Sequence, residues 1–429
     1  MLPYFPCIFL PFKTKDETAE LYLNRQNAKE MVLQGILLFV ESFLLLLFLP
    51  ALLILPGLVF LLITGIAFLL IYLLAWPMEG SSVTRSKMDK RTPRSAEQHR
   101  DERWIFVNGC ASGHAGLQAN IDRLSLVFGR AVIGIHNKTY GIVADVLECL
   151  IQRVFSYDTA DVRVAYEQIK AVLLDHTVTK VVLIGHSQTS IVIFVLDRLF
   201  TELSPSHMSK LEVYTFGSAA SHFSNPHRSP KHFTNATKSE PGTSYHVISH
   251  IEHYANEYDM VPRWGVLHCT RDILSNTYAG AVFVRMGASG HMFNQHYLDP
   301  MFPTLSGGVV RKKHPTDTES SPPMADSFLD QKVSVDSDML LKRRDTERQA
   351  AGILRSESGG LEFGDGELVH GHRDGGDGRP GGGASGGGGD QTMCFGRTDS
   401  GRLLGEEARG KTVRELSRLW RYQGGESPE

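Results

Sequence analysis

Three residues scattered over a hundred positions have the types and order needed for acyl transfer. Ser187 follows an apolar run in Val181-Val-Leu-Ile-Gly185-His186-Ser187-Gln188-Thr189. A serine hydroxyl becomes a nucleophile only when a neighbouring imidazole takes its proton. A sharp strand-to-helix turn at Gly185 would lift Ser187 clear of a sheet, with the next N–H facing a developing oxyanion. Downstream, Asn256-Glu-Tyr-Asp259-Met-Val-Pro offers an acid, and Gly287-Ala-Ser-Gly-His291-Met-Phe-Asn-Gln-His296 offers a base. His291 is the preferred base because it stands nearest the preceding strand; His296 is the alternative. The oxyanion donors expected are the Gln188 N–H and one from the loop after Phe106-Val-Asn-Gly109, where Gly109 and Cys110 are candidates. Taken singly these residues are ordinary: serines cap helices and aspartates before Val-Pro form turns. Their order, each just after a strand-like run, carries the expectation.

The elements that must position them alternate. Strand-like runs are WIFVNG (104–109), AVIGIH (131–136), VVLIG (181–185), LEVYTFGS (211–218), YHVISHIEHY (245–254) and AVFVRM (281–286). Helical spacing of apolar residues appears at 114–128, 141–155, 161–175 and after Gln188. Continuously apolar strands separated by helices predict a mostly parallel sheet covered on both faces, an α/β fold. Ligands in such sheets sit at the carboxyl ends of the strands, where Ser187, Asp259 and His291 fall.

Around this domain, expected over 101–304, four other regions are legible. Residues 1–35 are mixed and polar, and 36–76 are almost wholly apolar. As one helix that stretch would run about 60 Å, twice the hydrocarbon thickness of a bilayer. Pro50, Pro56 and Gly57 break it at the centre, which leaves two short transmembrane spans or a hairpin entering one leaflet. Basic residues on both sides (Lys13, Lys15, Arg25 and Lys29; Arg85, Lys87, Lys90, Arg91 and Arg94) predict that both flanks are cytosolic. The one internal charge, Glu41, is expected to reach the membrane interface. A basic linker covers 77–100. Residues 305–410 read as a disordered tail with the Gly-rich tract GDGRPGGGASGGGGD. A closing amphipathic helix is expected at 411–423, from the capping-box spacing of Thr412 and Glu415 and a stripe of Val413, Leu416, Leu419 and Trp420.

Composition narrows the function. A net charge of −3 over 429 residues implies no pull toward nucleic acid. Five dispersed cysteines without a C-x-x-C pair suggest neither a disulfide framework nor a zinc site, and suit a reducing compartment. His222, His227, His232, His246, His250 and His253 crowd one stretch, but their spacings match no common ligand pattern, so no metal and no cofactor are expected. The segment 219–244 reads as a lid or surface insertion. Asn137-Lys-Thr and Asn235-Ala-Thr match the glycosylation acceptor pattern, a match common by chance.

The stretches WIFVNG, FGRAVIGIHNKTYG, VVLIGHSQ, LEVYTFGSAASHF, NEYDMVPRWGVLH and GHMFNQHYLD resemble the lipase-like branch of the α/β-hydrolases, in particular fungal membrane-associated members. TFGS and DMVPR are also similar to segments of class 3 lipases. The resemblance covers about residues 102–304 and implies Ser187 as nucleophile, Asp259 as acid and His291 as base. One departure is plain: family members have Gly-Gly where this chain has Thr189-Ser190, and a β-branched Thr189 is expected to crowd the new helix. Two functions follow as expectations. The first is a membrane-anchored serine hydrolase acting on a lipid or other hydrophobic ester from the cytosolic face; the endoplasmic reticulum and lipid-droplet surfaces both suit it. The alternative is an inactive hydrolase fold serving as a membrane scaffold or binding protein.

Overall fold

The computed structural model describes residues 7–12, 14, 19–87, 99–155, 159–227, 246–271, 278–305, 309–310, 327–334, 391–396 and 408–428. Seven strands are numbered here: β1 (Val83–Arg85), β2 (Glu102–Val107), β3 (Val132–Ile135), β4 (Lys180–His186), β5 (Leu211–Phe216), β6 (His250–Asn256) and β7 (Ala281–Arg285). They form one mixed, mostly parallel sheet in the order β1-β3-β2-β4-β5-β6-β7, continued by Gln391–Gly396 and then Lys332–Ser334. From β2 to β7 every sheet contact is parallel, and β3 pairs parallel to β2; β1 and the Gln391–Gly396 strand pair antiparallel at their edges. Alternation explains the double covering. Trp104 and Phe106 on β2, with Val182 and Ile184 on β4, join one core, whereas Ile105, Val107, Val181 and Leu183 join the other.

Six helices are numbered: α1 (Arg25–Ile54), α2 (Gly57–Ala75), α3 (His114–Phe128), α4 (Ile142–Phe155), α5 (Ala160–Leu174) and α6 (Ser190–Glu202). α3 buries Leu117, Ile121, Leu124 and Val127 against the β2/β3 side, and ends on Gly129, whose φ of 62° only glycine adopts cheaply. α5 and α6 cover the opposite face through Val162, Ile169, Leu173, Val192, Leu196 and Leu199. The chain runs from β2 outward to β3 and then back across to β4. That reversal puts the carboxyl ends of β2 and β4 side by side, the place where such sheets bind ligands.

Several expectations need correction. The sheet extends into the stretch expected to be disordered. Phe328, Leu329, Val333, Thr392 and Cys394 are buried, and Gln391–Gly396 pairs with the whole of β7. Short strands embedded in a polar, Gly-rich sequence carry little periodic signal; pairing with an otherwise bare sheet edge orders them. The Gly-rich tract itself, residues 228–244 of the 219–244 segment (with His232 and Asn235) and residues 88–98 of the basic linker lie outside the described residues. The closing helix is two pieces. The capping box of Thr412 and Glu415 is present, but the helix spans only Val413–Leu416, Ser417 is extended, and a 3-10 segment follows at Leu419–Gly425. Val413, Leu419 and Tyr422 are buried on the β2 side of the sheet.

The apolar region is a helical pair, α1 packed against α2, whose most apolar 18-residue stretches have mean hydropathies of 2.6 and 2.8. The break falls at Leu55-Pro56, not at Pro50, which lies inside α1. α1 also begins well before residue 36, capped by Asn24, whose side chain accepts from the Gln26 and Asn27 N–H groups. Its first half is docked on the domain. Gln34 Nε2 donates to the Ala111 carbonyl at 3.2 Å, while Leu37 is buried within the hairpin itself, against Ile71, Leu74, Ala75 and Met78. Glu41 is 4 % exposed and accepts the Val143 N–H at the start of α4, at 2.9 Å. The expected snorkelling of Glu41 is therefore replaced by capping of a helix N-terminus, a stronger partner for a carboxylate. Gly141 makes room for it: a Cβ there would lie 2.4 Å from the Glu41 carboxylate.

Candidate active site

Ser187 sits between β4 and α6 with φ 62°, a left-handed conformation that costs a non-glycine residue about 1–2 kcal/mol. Backbone bonds from both sides hold it there. Its N–H donates to the Phe216 carbonyl at 3.0 Å, and its carbonyl accepts from Ala219 at 2.9 Å. Gly109, just past β2, lies against it: a Cβ on Gly109 would be 2.3 Å from the Ser187 Cβ, so no side chain fits. Gly185 is similarly confined, with Val192 and Thr189 methyl groups 3.0 and 3.1 Å from where its Cβ would stand.

The Ser187 hydroxyl donates to His291 Nε2 at 2.8 Å, and His291 Nδ1–H donates to Asp259 Oδ2 at 2.6 Å. Asp259 is fully buried, with two further donors: the Tyr297 hydroxyl at 2.6 Å and the Val261 N–H at 3.0 Å. Burial, then the Asp259 charge, pushes the Tyr297 phenol well above its usual range, so it stays a donor. His296 does not reach Ser187. Its Nε2–H donates to the Pro11 carbonyl at 3.0 Å and its Nδ1 accepts from the Met292 N–H at 3.0 Å, so both ring nitrogens are committed to the backbone.

Residues not singled out from sequence complete the arrangement. His186 Nε2–H donates to the His291 carbonyl at 2.7 Å, its ring 4.7 Å from that of His291. Burial, and secondly the neighbouring His291, push its pKa well down, so His186 is a neutral strut. The Gln188 side chain is locked: its Oε1 accepts from Asn137 Nδ2 at 2.7 Å and from the Cys110 thiol at 2.8 Å, and its Nε2 donates to Gln152 at 2.7 Å. Among the described residues nothing accepts from the Gln188 backbone N–H. Asp145 joins the Cys110 loop to α4, accepting from the Ala111 and Tyr140 N–H groups at 2.7 and 2.9 Å. Burial raises its pKa to about 6. Asn137 is itself buried beneath Gln188, so this acceptor motif is not presented to solvent.

The base-bearing loop is held by the N-terminal segment. Cys7 and Ile8 carbonyls accept from the Gly290 and His291 N–H groups, each at 2.8 Å, and the Leu10 carbonyl accepts from Ser289 Oγ at 2.9 Å. Glu20 accepts from Asn294 and Gln295 N–H at 2.7 and 3.2 Å.

Thr189 corrects the crowding expected of it. It has φ −69° and ψ 0°, ordinary for any residue, and its hydroxyl is hydrogen-bonded to Ser218 while its methyl packs beside Gly185. Among the described residues no group of three metal-ligating side chains converges. His253 is buried between Thr215 and the Ala279 carbonyl, His250 binds Glu252, and His222 faces Asp197.

No family model and no curated protein matches the chain. Among solved structures, Trichoderma reesei cutinase in complex with a C11Y4 phosphonate inhibitor is similar to part of it, at 23 % identity and a TM-score of 0.20. The match covers 27 % of this chain and 52 % of the cutinase, so the chain spans about half the length of that structure.

Proposed function

We propose that this chain is a membrane-associated serine hydrolase of the α/β-hydrolase type, cleaving a lipid or other hydrophobic carboxylic ester through an acyl-enzyme. The observation carrying this reading is the continuous Ser187–His291–Asp259 hydrogen-bonded line, ending on a strained serine beside a glycine. Ser187 Oγ attacks the ester carbonyl carbon as His291 Nε2 takes its proton; Asp259 holds the imidazole tautomer and stabilises the imidazolium. The oxyanion forms at the Gln188 N–H, opposite the Gly109–Cys110 loop. Collapse expels the alcohol, protonated by His291, and water, deprotonated by the same ring, then releases the acid. Ser187 and His291 are each 7 % exposed, so the ester reaches them once a covering segment shifts.

The membrane part of the proposal is a hairpin that enters a bilayer from the cytosolic side without crossing it. Glu41 is bound to Val143 of the domain, which sets the upper limit of insertion on α1. From there to Ile54 about 13 residues remain, or about 20 Å of helix. That length exceeds one leaflet but falls short of the hydrocarbon thickness of about 30 Å. Leu53, Ile54 and Leu58 at the tip are 76–85 % exposed. α4, which packs on α1, adds exposed Val146, Leu147 and Ile151 at the base of the hairpin.

The test is labelling of the full chain by a fluorophosphonate, which reacts with activated serines. Wild type is expected to label and to hydrolyse a medium-chain ester; Ser187→Ala should lose labelling and about 10⁴-fold or more in kcat, with an unchanged circular dichroism spectrum. A folded wild type that neither labels nor hydrolyses would make the scaffold reading the right one.

A further inference from the structure

At the root of the hairpin lies a cavity of about 270 Å³ lined by Tyr72, Trp76, Glu79, Gly80, Lys138 and Tyr140. It is separate from the hydroxyl-imidazole-carboxylate line and takes no part in the chemistry above. Three of its six residues are aromatic, and their rings remain open: Tyr72, Trp76 and Tyr140 are 50, 65 and 38 % exposed. Tyr72 and Trp76 stand four residues apart, on one face of the helix end, at the level where an inserted hairpin leaves the hydrocarbon.

Two opposite charges share this cavity and do not neutralise each other. Glu79 Oε1 accepts the Thr139 N–H at 3.2 Å, whereas its Oε2 is buried without a hydrogen-bond partner. The Lys138 ammonium makes no hydrogen bond or close ion pair among the described residues; burial raises the Glu79 and Asp161 carboxyls above their usual range, and the Lys138 charge offsets this only in part from a longer distance. Leaving a buried carboxylate oxygen unpartnered is unfavourable. A ligand carrying both signs relieves it. Aromatic faces beside a carboxylate favour a soft organic cation, the arrangement that recognises quaternary ammonium groups. An unpaired lysine favours a phosphate. The volume is just below the range of about 300–1,000 Å³ for drug-sized sites, enough for a headgroup and too small for acyl chains.

We infer that this cavity binds the zwitterionic phosphoester–ammonium headgroup of a membrane lipid, of the phosphocholine type, with the ammonium between Glu79 and the rings and the phosphate at Lys138. The inference rests on the membrane reading for the source of its ligand, and deepens it by naming the lipid class. The loop that supplies Lys138 and Tyr140 also supplies Asn137, whose amide clamps Gln188. A bound headgroup therefore lies one residue along the chain from the group that fixes the oxyanion donor.

The experiment uses the full chain in maltoside detergent, titrated with soluble phosphocholine, tetramethylammonium and inorganic phosphate, following indole fluorescence and calorimetric heat. Phosphocholine is expected to bind saturably, with the fluorescence change lost in Trp76→Phe. Glu79→Gln should weaken both phosphocholine and tetramethylammonium at least ten-fold. Lys138→Gln should weaken phosphocholine about five-fold or more and leave tetramethylammonium unchanged. Absent binding by the folded wild type, or affinity unaltered in both charge variants, overturns the assignment. Inorganic phosphate competing as well as phosphocholine does so too, since the site would then serve a free anion. Flotation with phosphatidylcholine and phosphatidylglycerol vesicles separates the two readings. A chain that binds phosphocholine in detergent but floats with neither vesicle retains the pocket and loses the membrane reading. A chain that floats equally with both, and fails to bind phosphocholine, does the reverse.

Discussion

Thr189 shows how a residue-level rule yields to its surroundings. Its backbone angles require no glycine, and its hydroxyl has a partner in Ser218. Thr189→Gly is therefore expected to leave the fluorophosphonate labelling rate at or below wild type and to reduce stability by about 1 kcal/mol, through a larger unfolded ensemble and a lost hydrogen bond. Labelling more than three-fold faster than wild type would reinstate crowding at the turn. The same scale shows what a sequence can disclose. Ser187, Asp259 and His291 are legible because each follows a strand-like run, so the topology alone places them near one another. His186, Tyr297, Asn137 and Gln152 are not, because each acts through a partner far along the chain or hidden in a helix pattern. Nothing local distinguishes Tyr297 from any aromatic core residue until its hydroxyl is seen 2.6 Å from Asp259. The choice between His291 and His296 likewise required the Pro11 carbonyl, which no motif connects to residue 296.

Among the elements, α4 and the loop after β2 act as one unit through Asp145. Its carboxyl keeps a proton up to about pH 6 in the folded chain because it is buried, against an ordinary value of 3.8. The folded state thus binds more protons than the unfolded state between those values, and the associated stability is present below about pH 4 and lost as pH rises through 6. Asp145→Asn resembles the protonated side chain and has no such titration. The stability of wild type relative to the variant should therefore fall by up to about 3 kcal/mol between pH 4 and 7, read from urea midpoints. A difference independent of pH would show that Asp145 titrates normally. Strand and helix boundaries in the central domain were legible to within a few residues because period-2 and period-3.6 patterns are long there. The Gln391–Gly396 strand was not. The buried Thr392 and Cys394 are too few to mark a face in the sequence, and its place is set by the edge of β7.

At the scale of the whole molecule, the hairpin and the domain are bound through Gln34 and Glu41, and on the proposed membrane reading this limits how deep the tip reaches. Leu55→Trp, reconstituted in vesicles, should be quenched most by bromines near the acyl-chain ends and little by bromines near the glycerol. An impermeant thiol reagent should not reach Leu55→Cys from the far side of the bilayer; labelling from that side would mean that the hairpin crosses. Sequence alone left crossing and non-crossing hairpins equal, because hydropathy measures how apolar a stretch is and not where a domain grips it. The grip at Gln34 and Glu41 supplies that second quantity.

The carbonyls of Cys7 and Ile8 that hold the base loop also set a schedule for synthesis. Those residues leave the ribosome long before Gly290 and His291, by roughly 15–60 s at about 5–20 residues per second. The apolar hairpin follows them and, on the proposed membrane reading, would enter a bilayer before Ser187 is made. Cys7 and Ile8 can meet these partners only once β7 adds to the sheet and delivers Gly290 and His291 to their carbonyls. Closure of that contact is among the most sequence-distant in the fold, and so among the slowest to form. On the proposed reading, a ribosome-bound chain stopped before residue 290 would be inserted yet inert toward esters, lacking both His291 and the core residues Phe293, Phe328, Cys394 and Tyr422. If the proposed function holds, hydrolytic competence would arrive only after the hairpin has inserted.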